Sequence, residues 1–426
     1  MPTISPRDAQ WREELRASMT AKERTAIPRA KMTELDPNYR ITCNEEVNQG
    51  LTKEQALVEA RRCLDCPDPQ CMKREPVAIG YLERFAADYS RTSGEKAAPQ
   101  QISPNGKKVA VIGSGPAGLS FAGDMIKRGY EVTVFEALHQ IGGVLKYGIP
   151  EFRLPNAVVD VEIESLRSLG VKFVKNCVVG KTLSYDDLIS EGFNGIFVAS
   201  GAGLPRFMGI KGENLIGVMS SNEYLTRINL MGAGHEGWDT PVLKGKRIAV
   251  IGGGNTAMDS VRTARRMGAE TAMIVYRRSE AEMPARLEEV RHAKEEGVTF
   301  MTLCNPIEYL GDENGHVRTM RVQRMELGEP DASGRRSPVA IEGAIDEIDV
   351  DIVIVSVGVS PNPLIPNSVE GLDISPKGTI VVSEALESSI PMLFAGGDIV
   401  RGGATVILAM GDGRKAAAAM HEKLSK

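Results

Sequence analysis

The chain alternates short apolar, β-branched runs with longer stretches in which apolar residues recur at helical spacing. Val109–Ile112 is such a run, entered through Lys107-Lys108; a helix-like segment follows, and then a second run, Glu131-Val-Thr-Val-Phe135. The same text returns at Lys246-Arg-Ile-Ala-Val-Ile-Gly-Gly-Gly-Asn-Thr-Ala257, so one supersecondary unit occurs twice. Gly195-Ile-Phe-Val-Ala-Ser-Gly-Ala-Gly203 has its counterpart in Asp351-Ile-Val-Ile-Val-Ser-Val-Gly-Val359, so the repeat covers whole domains. Strands alternating with helices predict open parallel sheets, an α/β fold. Val158–Gly170 has helical periodicity, Met392–Val400 reads as a strand running into Gly396, Gly397 and Asp398, and Thr405–Met420 as an alanine-rich helix. Residues 1–104 have another texture. Thr52 stands as N-cap with Gln55 at the third helical position, Ile79–Tyr89 follows as a second helix, and Ser90–Asn105, rich in Ser, Gly, Pro and Gln, reads as a linker. A small helical domain over 1–104 is therefore expected.

The turn after the first strand carries chemistry. Gly113 permits a tight turn, Gly115 lets backbone approach a pyrophosphate, and Gly118 allows close helix–strand packing, with Pro116 and Ala117 opening the helix. Free N–H groups and the positive helix end then face the phosphates. Glu136, at the end of the next strand, can accept from a ribose. The second copy supplies Gly252, Gly254, Asn255 and Thr256, with Ala257 in place of the third glycine. Two such clamps predict two dinucleotides. The strand after the second clamp, Thr271–Tyr276, ends on Arg277-Arg278 instead of an acid, and guanidinium groups suit a 2′-phosphate, which predicts NADPH over NADH. The loop Ile141–Pro150, with Gly142 and Gly143, either approaches the first ligand or is a plain turn. Asp398, after Gly396-Gly397, either accepts from a sugar hydroxyl or caps the next helix.

Composition narrows the functions. The chain has 426 residues, 42% hydrophobic and 25% charged, with net charge −5. That is enough for two or three domains with proper cores and offers no basic patch for nucleic acid. Met1–Thr20 lacks an apolar signal core and no apolar run reaches membrane length, so a cytoplasmic protein without membrane contact is expected. Cys63, Cys66 and Cys71 crowd into nine residues while Cys43, Cys177 and Cys304 are scattered, which suggests metal ligation, not a disulfide framework. The crowded thiols allow three ligands to one 4Fe–4S cluster, a zinc site, or three inert cysteines. Neither a His-Glu-x-x-His nor a Gly-x-Ser-x-Gly signature occurs, and no catalytic side chain is expected; cofactors carry the chemistry.

Arg62-Cys-Leu-Asp-Cys66, Val111-Ile-Gly-Ser-Gly-Pro-Ala-Gly-Leu119, Tyr276-Arg-Arg-Ser279 with Glu282-Met-Pro-Ala285, and Ala395-Gly-Gly-Asp398 together resemble the two-dinucleotide flavoproteins of the glutamate synthase small-subunit family. Its relatives include the large subunit of electron-bifurcating ferredoxin:NADP oxidoreductase, sulfide dehydrogenase and the N-terminal half of dihydropyrimidine dehydrogenase. The resemblance implies two Rossmann-like domains, one inserted in the other: FAD on 105–235 and 372–426, NADPH on 236–371, and iron–sulfur clusters in 1–104. It implies that Gly113, Gly115 and Gly118 hold the FAD pyrophosphate, Glu136 its ribose, Gly397 and Asp398 the ribityl or pyrophosphate region, and that Thr405 and Val406 lie near the flavin. Electrons would pass to a large catalytic or electron-accepting subunit. The chain departs from relatives after Cys71, where Met-Lys-Arg-Glu75-Pro76 stands in place of a further cysteine and a long cluster-binding segment. Two rivals are a disulfide reductase, which would want a Cys-x-x-Cys beside the flavin, and a dinucleotide-binding assembly subunit without turnover.

Overall fold

The computed structural model describes residues 8–67, 71, 77–93, 102–332 and 334–426. The run from Met72 to Pro76, with Glu75, and the linker's middle at 94–101 lie outside the described residues. Contacts divide the chain into two units, 1–36 with 46–100 and 37–45 with 101–426.

The first unit is helical: α1 (Gln10–Ser18), α2 (Ala21–Ala26), α3 (Lys53–Arg61) and α4 (Ile79–Thr92). Helix α3 starts on the capping box legible in the sequence, Gln55 N–H donating to Thr52 Oγ1 (3.2 Å) and Thr52 N–H to Gln55 Oε1 (2.8 Å). Glu59 on α3 is fully buried and ties the unit together, accepting from the N–H groups of Ala30 (2.7 Å) and Ala78 (2.6 Å) and from Arg62 (2.7 Å). Burial alone would raise its pKa; those three donors outweigh it and hold the carboxyl below the ordinary range.

The second unit holds two parallel five-stranded sheets among the described residues. The first uses β1 (Lys108–Ile112), β2 (Glu131–Phe135), β3 (Lys172–Val174), β4 (Gly195–Val198) and, from the far end of the chain, β15 (Leu393–Ala395), in the order β15-β4-β1-β2-β3. The second uses β6 (Val218–Ser220), β7 (Arg247–Ile251), β8 (Thr271–Tyr276), β9 (Thr299–Thr302) and β13 (Ile352–Val355), in the order β6-β13-β7-β8-β9. The orders are equivalent, so the repeated text makes two equivalent sheets, whose central strands β1, β2, β4, β7, β8 and β13 are buried on both faces as parallel sheets require while the edge strands β3 and β9 are partly exposed. Helices α5 (Pro116–Ile126), α6 (Val144–Tyr147) and α7 (Asn156–Ser168) belong to the first half, α8 (Asn255–Arg266) and α9 (Leu287–Glu295) to the second, and α10 (Val406–Leu424) returns to lie on α5. Helix α10 comes so close to α5 that a Cβ on Gly413 would sit 2.3 Å from the Ala117 carbonyl oxygen.

A short pair, β5 (Leu204–Pro205) with β14 (Val359–Ser360), accompanies the two sheets. An antiparallel sheet of β10 (Cys304–Gly311), β11 (Val317–Pro330) and β12 (Arg336–Asp349) grows out of the second half. Among the described residues no helix is long and apolar enough to cross a membrane.

Candidate functional site

At the carboxyl end of β1 the chain turns on Gly113, whose φ is +100° and where a Cβ would meet the Ala199 carbonyl oxygen at 2.5 Å. A Cβ on Gly118 would lie 2.0 Å from the Gly113 carbonyl oxygen, so both positions admit only glycine. Gly115, by contrast, faces open space, and it caps α5 without any side chain on the helix N–H groups. An uncapped helix end beneath a bare backbone fits an anionic pyrophosphate. Pro116 follows at the first helical position, and Ala117 is buried.

Glu136 is buried beside this turn. Its carboxylate accepts from Ser114 N–H (2.9 Å), from the Ser114 hydroxyl and from Leu138 N–H (2.8 Å), which fixes its orientation while leaving lone pairs for a sugar hydroxyl. Gly142 donates its N–H to the same Ser114 hydroxyl (3.0 Å), and a Cβ on Gly143 would meet Gly115 Cα at 2.9 Å. The loop therefore packs on the glycine turn. From the other side, Gly397 (φ +76°) would bring a Cβ within 3.1 Å of Ala117, which sets Asp398 at the same end of the sheet. Asp398 makes no side-chain cap on its own helical turn; its Oδ1 accepts Ala404 N–H (3.1 Å) and so holds the loop 402–404. Burial pushes this carboxyl above its ordinary range, the Asp412 charge adding and the Ala404 bond opposing. Thr405 caps α10, accepting Leu408 N–H (3.4 Å), and Val406 is half-buried in its first turn.

Two hydroxyls that sequence reasoning passed over belong to this site. Tyr147, on α6, is pushed up to about 12 by burial, then by Asp398 and Glu136, which puts a neutral donor near both acids. Ser200 Oγ, just past β4, is buried and finds no hydrogen-bond partner among the described residues, an orphan that a bound molecule would satisfy.

The second sheet repeats the turn. Gly252 has φ +140° and would bring a Cβ within 2.3 Å of the Ser356 carbonyl oxygen, the position equivalent to Ala199. Gly254 faces open space and caps α8 without a side chain. Asn255 is engaged internally, its Oδ1 accepting Arg286 N–H (2.9 Å); Thr256 is exposed; the Ala257 methyl, where the first turn has Gly118, is fully buried. The arginine pair divides. Arg277 is exposed and makes no hydrogen bond or ion pair among the described residues, whereas Arg278 is buried, donating to the Arg336 carbonyl (2.8 Å) and pairing with Asp331 (2.5 Å).

In the helical unit, Cys63 and Cys66 are exposed and Cys71 is half-buried. Asp65 N–H donates to Cys63 Sγ (3.4 Å). The three sulfurs are not gathered within 4.8 Å of one another, and no fourth thiol joins them among the described residues, so the fit to a closed cluster site is incomplete. All six cysteines are free thiols.

Residues 107–413 match the pyridine nucleotide-disulphide oxidoreductase family. The chain is 37% identical to the small chain of NADPH-dependent glutamate synthase of Escherichia coli K12, over 80% of this chain and 74% of that one. It is 38% identical to the beta subunit of the NADP(+)-dependent formate dehydrogenase of Moorella thermoacetica, over 87% of this chain but 54% of that one, so it spans about half of that longer relative. In structure it resembles Mycobacterium tuberculosis FprA, solved in complex with NADPH, with TM-score 0.63 and 21% identity over 75% of this chain and 85% of that one. Thioredoxin reductase of T. acidophilum follows with TM-score 0.57 and 19% identity over 75% of this chain and all of that one; at these identities the likeness is one of fold. With the family match covering both glycine turns and the strands between them, the chain belongs to the pyridine nucleotide-disulphide oxidoreductase family, among the relatives of the glutamate synthase small chains.

Proposed function

We propose that the chain is an oxidoreductase subunit that takes a hydride from NADPH onto FAD and passes the electrons to a partner subunit. The observation that carries this reading is the pair of equivalent glycine turns, each under an uncapped helix. Glu136 and Gly397-Asp398 stand beside the first, and the unpaired cation of Arg277 follows the strand paired with the one that leads into the second. FAD, when bound, supplies the hydride acceptor and two-electron store. The residues bind and orient. In this reading residues 105–235 with 372–426 hold FAD and 236–371 hold NADPH. Gly113, Gly115 and the N-terminus of α5 receive the pyrophosphate, Glu136 the ribose, and Asp398 with Tyr147 the region towards the flavin. Gly252, Gly254 and the N-terminus of α8 receive the second pyrophosphate, and Arg277 takes the 2′-phosphate. The relatives named above are small or beta subunits, which supports a larger electron-accepting partner; Cys63, Cys66 and Cys71 are the candidate thiolates for an iron–sulfur relay towards it.

A disulfide reductase is disfavoured because Cys177 and Cys304 stand apart, the latter buried with its thiol pushed up by burial and contacted by Arg324. Purified protein should be yellow, release FAD on denaturation and be bleached anaerobically by NADPH. A colourless preparation that FAD does not reconstitute refutes the reading.

A further inference from the structure

The hydride step needs its two reacting atoms about 3–3.5 Å apart, and a misplacement of about 1 Å can cost about a hundredfold in rate. Here the two atoms would be held by different sheets. Something must fix one half of the unit against the other, and the segment Tyr147–Leu154, between the glycine loop and α7, is built to do so.

Phe152, 1% exposed, has the guanidinium carbons of Arg266 and Arg262 at 3.8 and 4.7 Å from its ring centre. Arg153 reaches from the same strand of chain to α8 and α9: its NH1 donates to both oxygens of Asp259 (2.7 Å each), and its Nε lies 3.1 Å from Glu289 Oε1. Arg262 pairs with Glu289 and, at 2.8 Å, with Glu296; Arg266 and Arg40 also pair with Glu296 at 2.8 Å. The residues contributed by the first half are Phe152 and Arg153. Asp259 stands one helical turn beyond Asn255, so its carboxylate is anchored to the same helix whose N-terminus forms the second glycine turn. A forked guanidinium on two carboxylates from two helices restrains direction as well as distance, which a single ion pair does not.

We infer that Arg153 is a positioning residue for hydride transfer: by gripping Asp259 and Glu289 it holds the NADPH-binding helix α8 in register with the FAD-binding half. The inference rests on the function proposed above. The step it serves breaks a C–H bond of NADPH and forms an N–H bond on the flavin; both electrons travel with the hydrogen, leaving NADP+. Arg153 touches neither partner.

The test uses the FAD-loaded full chain with Arg153→Met, Arg153→Lys and Asp259→Asn. Anaerobic stopped-flow bleaching with NADPH and with 4-deuterated NADPH reads the step. FAD and NADP+ dissociation constants, and hydrogen exchange over residues 148–156 and 253–262, are read without turnover. Arg153→Met should slow the limiting bleaching rate about 10- to 100-fold, keep or enlarge the isotope effect, and raise exchange in both segments. Both dissociation constants should stay within about threefold. Arg153→Lys should recover part of the rate, and Asp259→Asn should lower it in the same direction; should Arg153→Met fail to fold, Asp259→Asn decides. Variants that bleach at the wild-type rate overturn the inference, as does a slowing wholly matched by lost NADP+ affinity. A wild-type flavin that NADPH does not bleach overturns the proposed function, and this inference with it.

Discussion

Replacing Arg277 by alanine removes an exposed guanidinium that has no other partner among the described residues, so whatever is lost is lost from the ligand. A hydrogen bond to a charged group contributes about 1.5–3 kcal/mol, equivalent to about 10- to 150-fold. Exposure and salt screening place Arg277 at the lower end of that range. The expected result is therefore about a tenfold fall in kcat/KM for NADPH, steeper at low salt, with the value for NADH, which lacks the 2′-phosphate, unchanged. Arg278→Ala acts elsewhere. It removes one donor each from Asp331 and the Arg336 carbonyl, so it should cost about 1–3 kcal/mol of stability and lower the melting temperature while changing the NADPH/NADH ratio less than Arg277→Ala does. Steady-state oxidation of both nucleotides with an artificial electron acceptor, at low and high salt, measures the ratio. If Arg278→Ala shifts the ratio and Arg277→Ala does not, the division of labour argued from burial is wrong; if neither does, another residue reads the phosphate.

Three further outcomes are expected. Gly118→Ala drives a methyl into the Gly113 carbonyl, backbone against backbone, and should abolish FAD retention, whereas Gly115→Ala, which meets open space, should fold and weaken FAD binding; FAD-to-protein stoichiometry checks both, and full FAD content in Gly118→Ala refutes the packing argument. Asp259 is pushed up to about 6, first by burial, with Arg153 opposing and Glu289 adding. A raised carboxyl contributes stability in full below its ordinary value and loses it as pH climbs through about 6, so acidification through that range should slow flavin bleaching without loss of melting temperature from this group; Asp259→Asn should flatten the profile. Iron and acid-labile sulfide measured on anaerobically prepared protein test the thiols of Cys63, Cys66 and Cys71; zinc, or no metal, means that electrons leave the flavin by another route.

The glycine turns were legible because their cause is local: Gly113 and Gly252 follow a buried strand directly, and each is fixed by a carbonyl one strand over, at Ala199 and Ser356. The equivalence of the two sheets followed from the repeated text, and the α3 capping box from four consecutive residues. What separates Arg277 from Arg278 could not be read, since its partner Asp331 arrives 53 residues later at the end of β11. The antiparallel sheet β10–β12 also went unread. Its strands β11 and β12 interleave charged with apolar residues, and a pattern of that kind does not announce a sheet that stands apart from the parallel ones. The crowding of the three cysteines was plain, but the gathering of sulfurs is a tertiary property.

The charged residues on α8 carry the strongest lesson about burial. Asp259 and Arg262 are charged, yet both are buried, because α9 and Arg153 bring partners of opposite sign. The compensation is uneven. Glu296, despite a burial penalty, is held at about 2 by Arg262 and Arg266, with Arg40 bonded as well, while Asp259 depends chiefly on an Arg153 that it shares with Glu289. Acid therefore reaches the two parts of the network at different points. Near pH 6 the Asp259 carboxylate that joins the halves takes up a proton, while Glu296 keeps its charge, so the link across the halves loosens before the Glu296 contacts within the second half do.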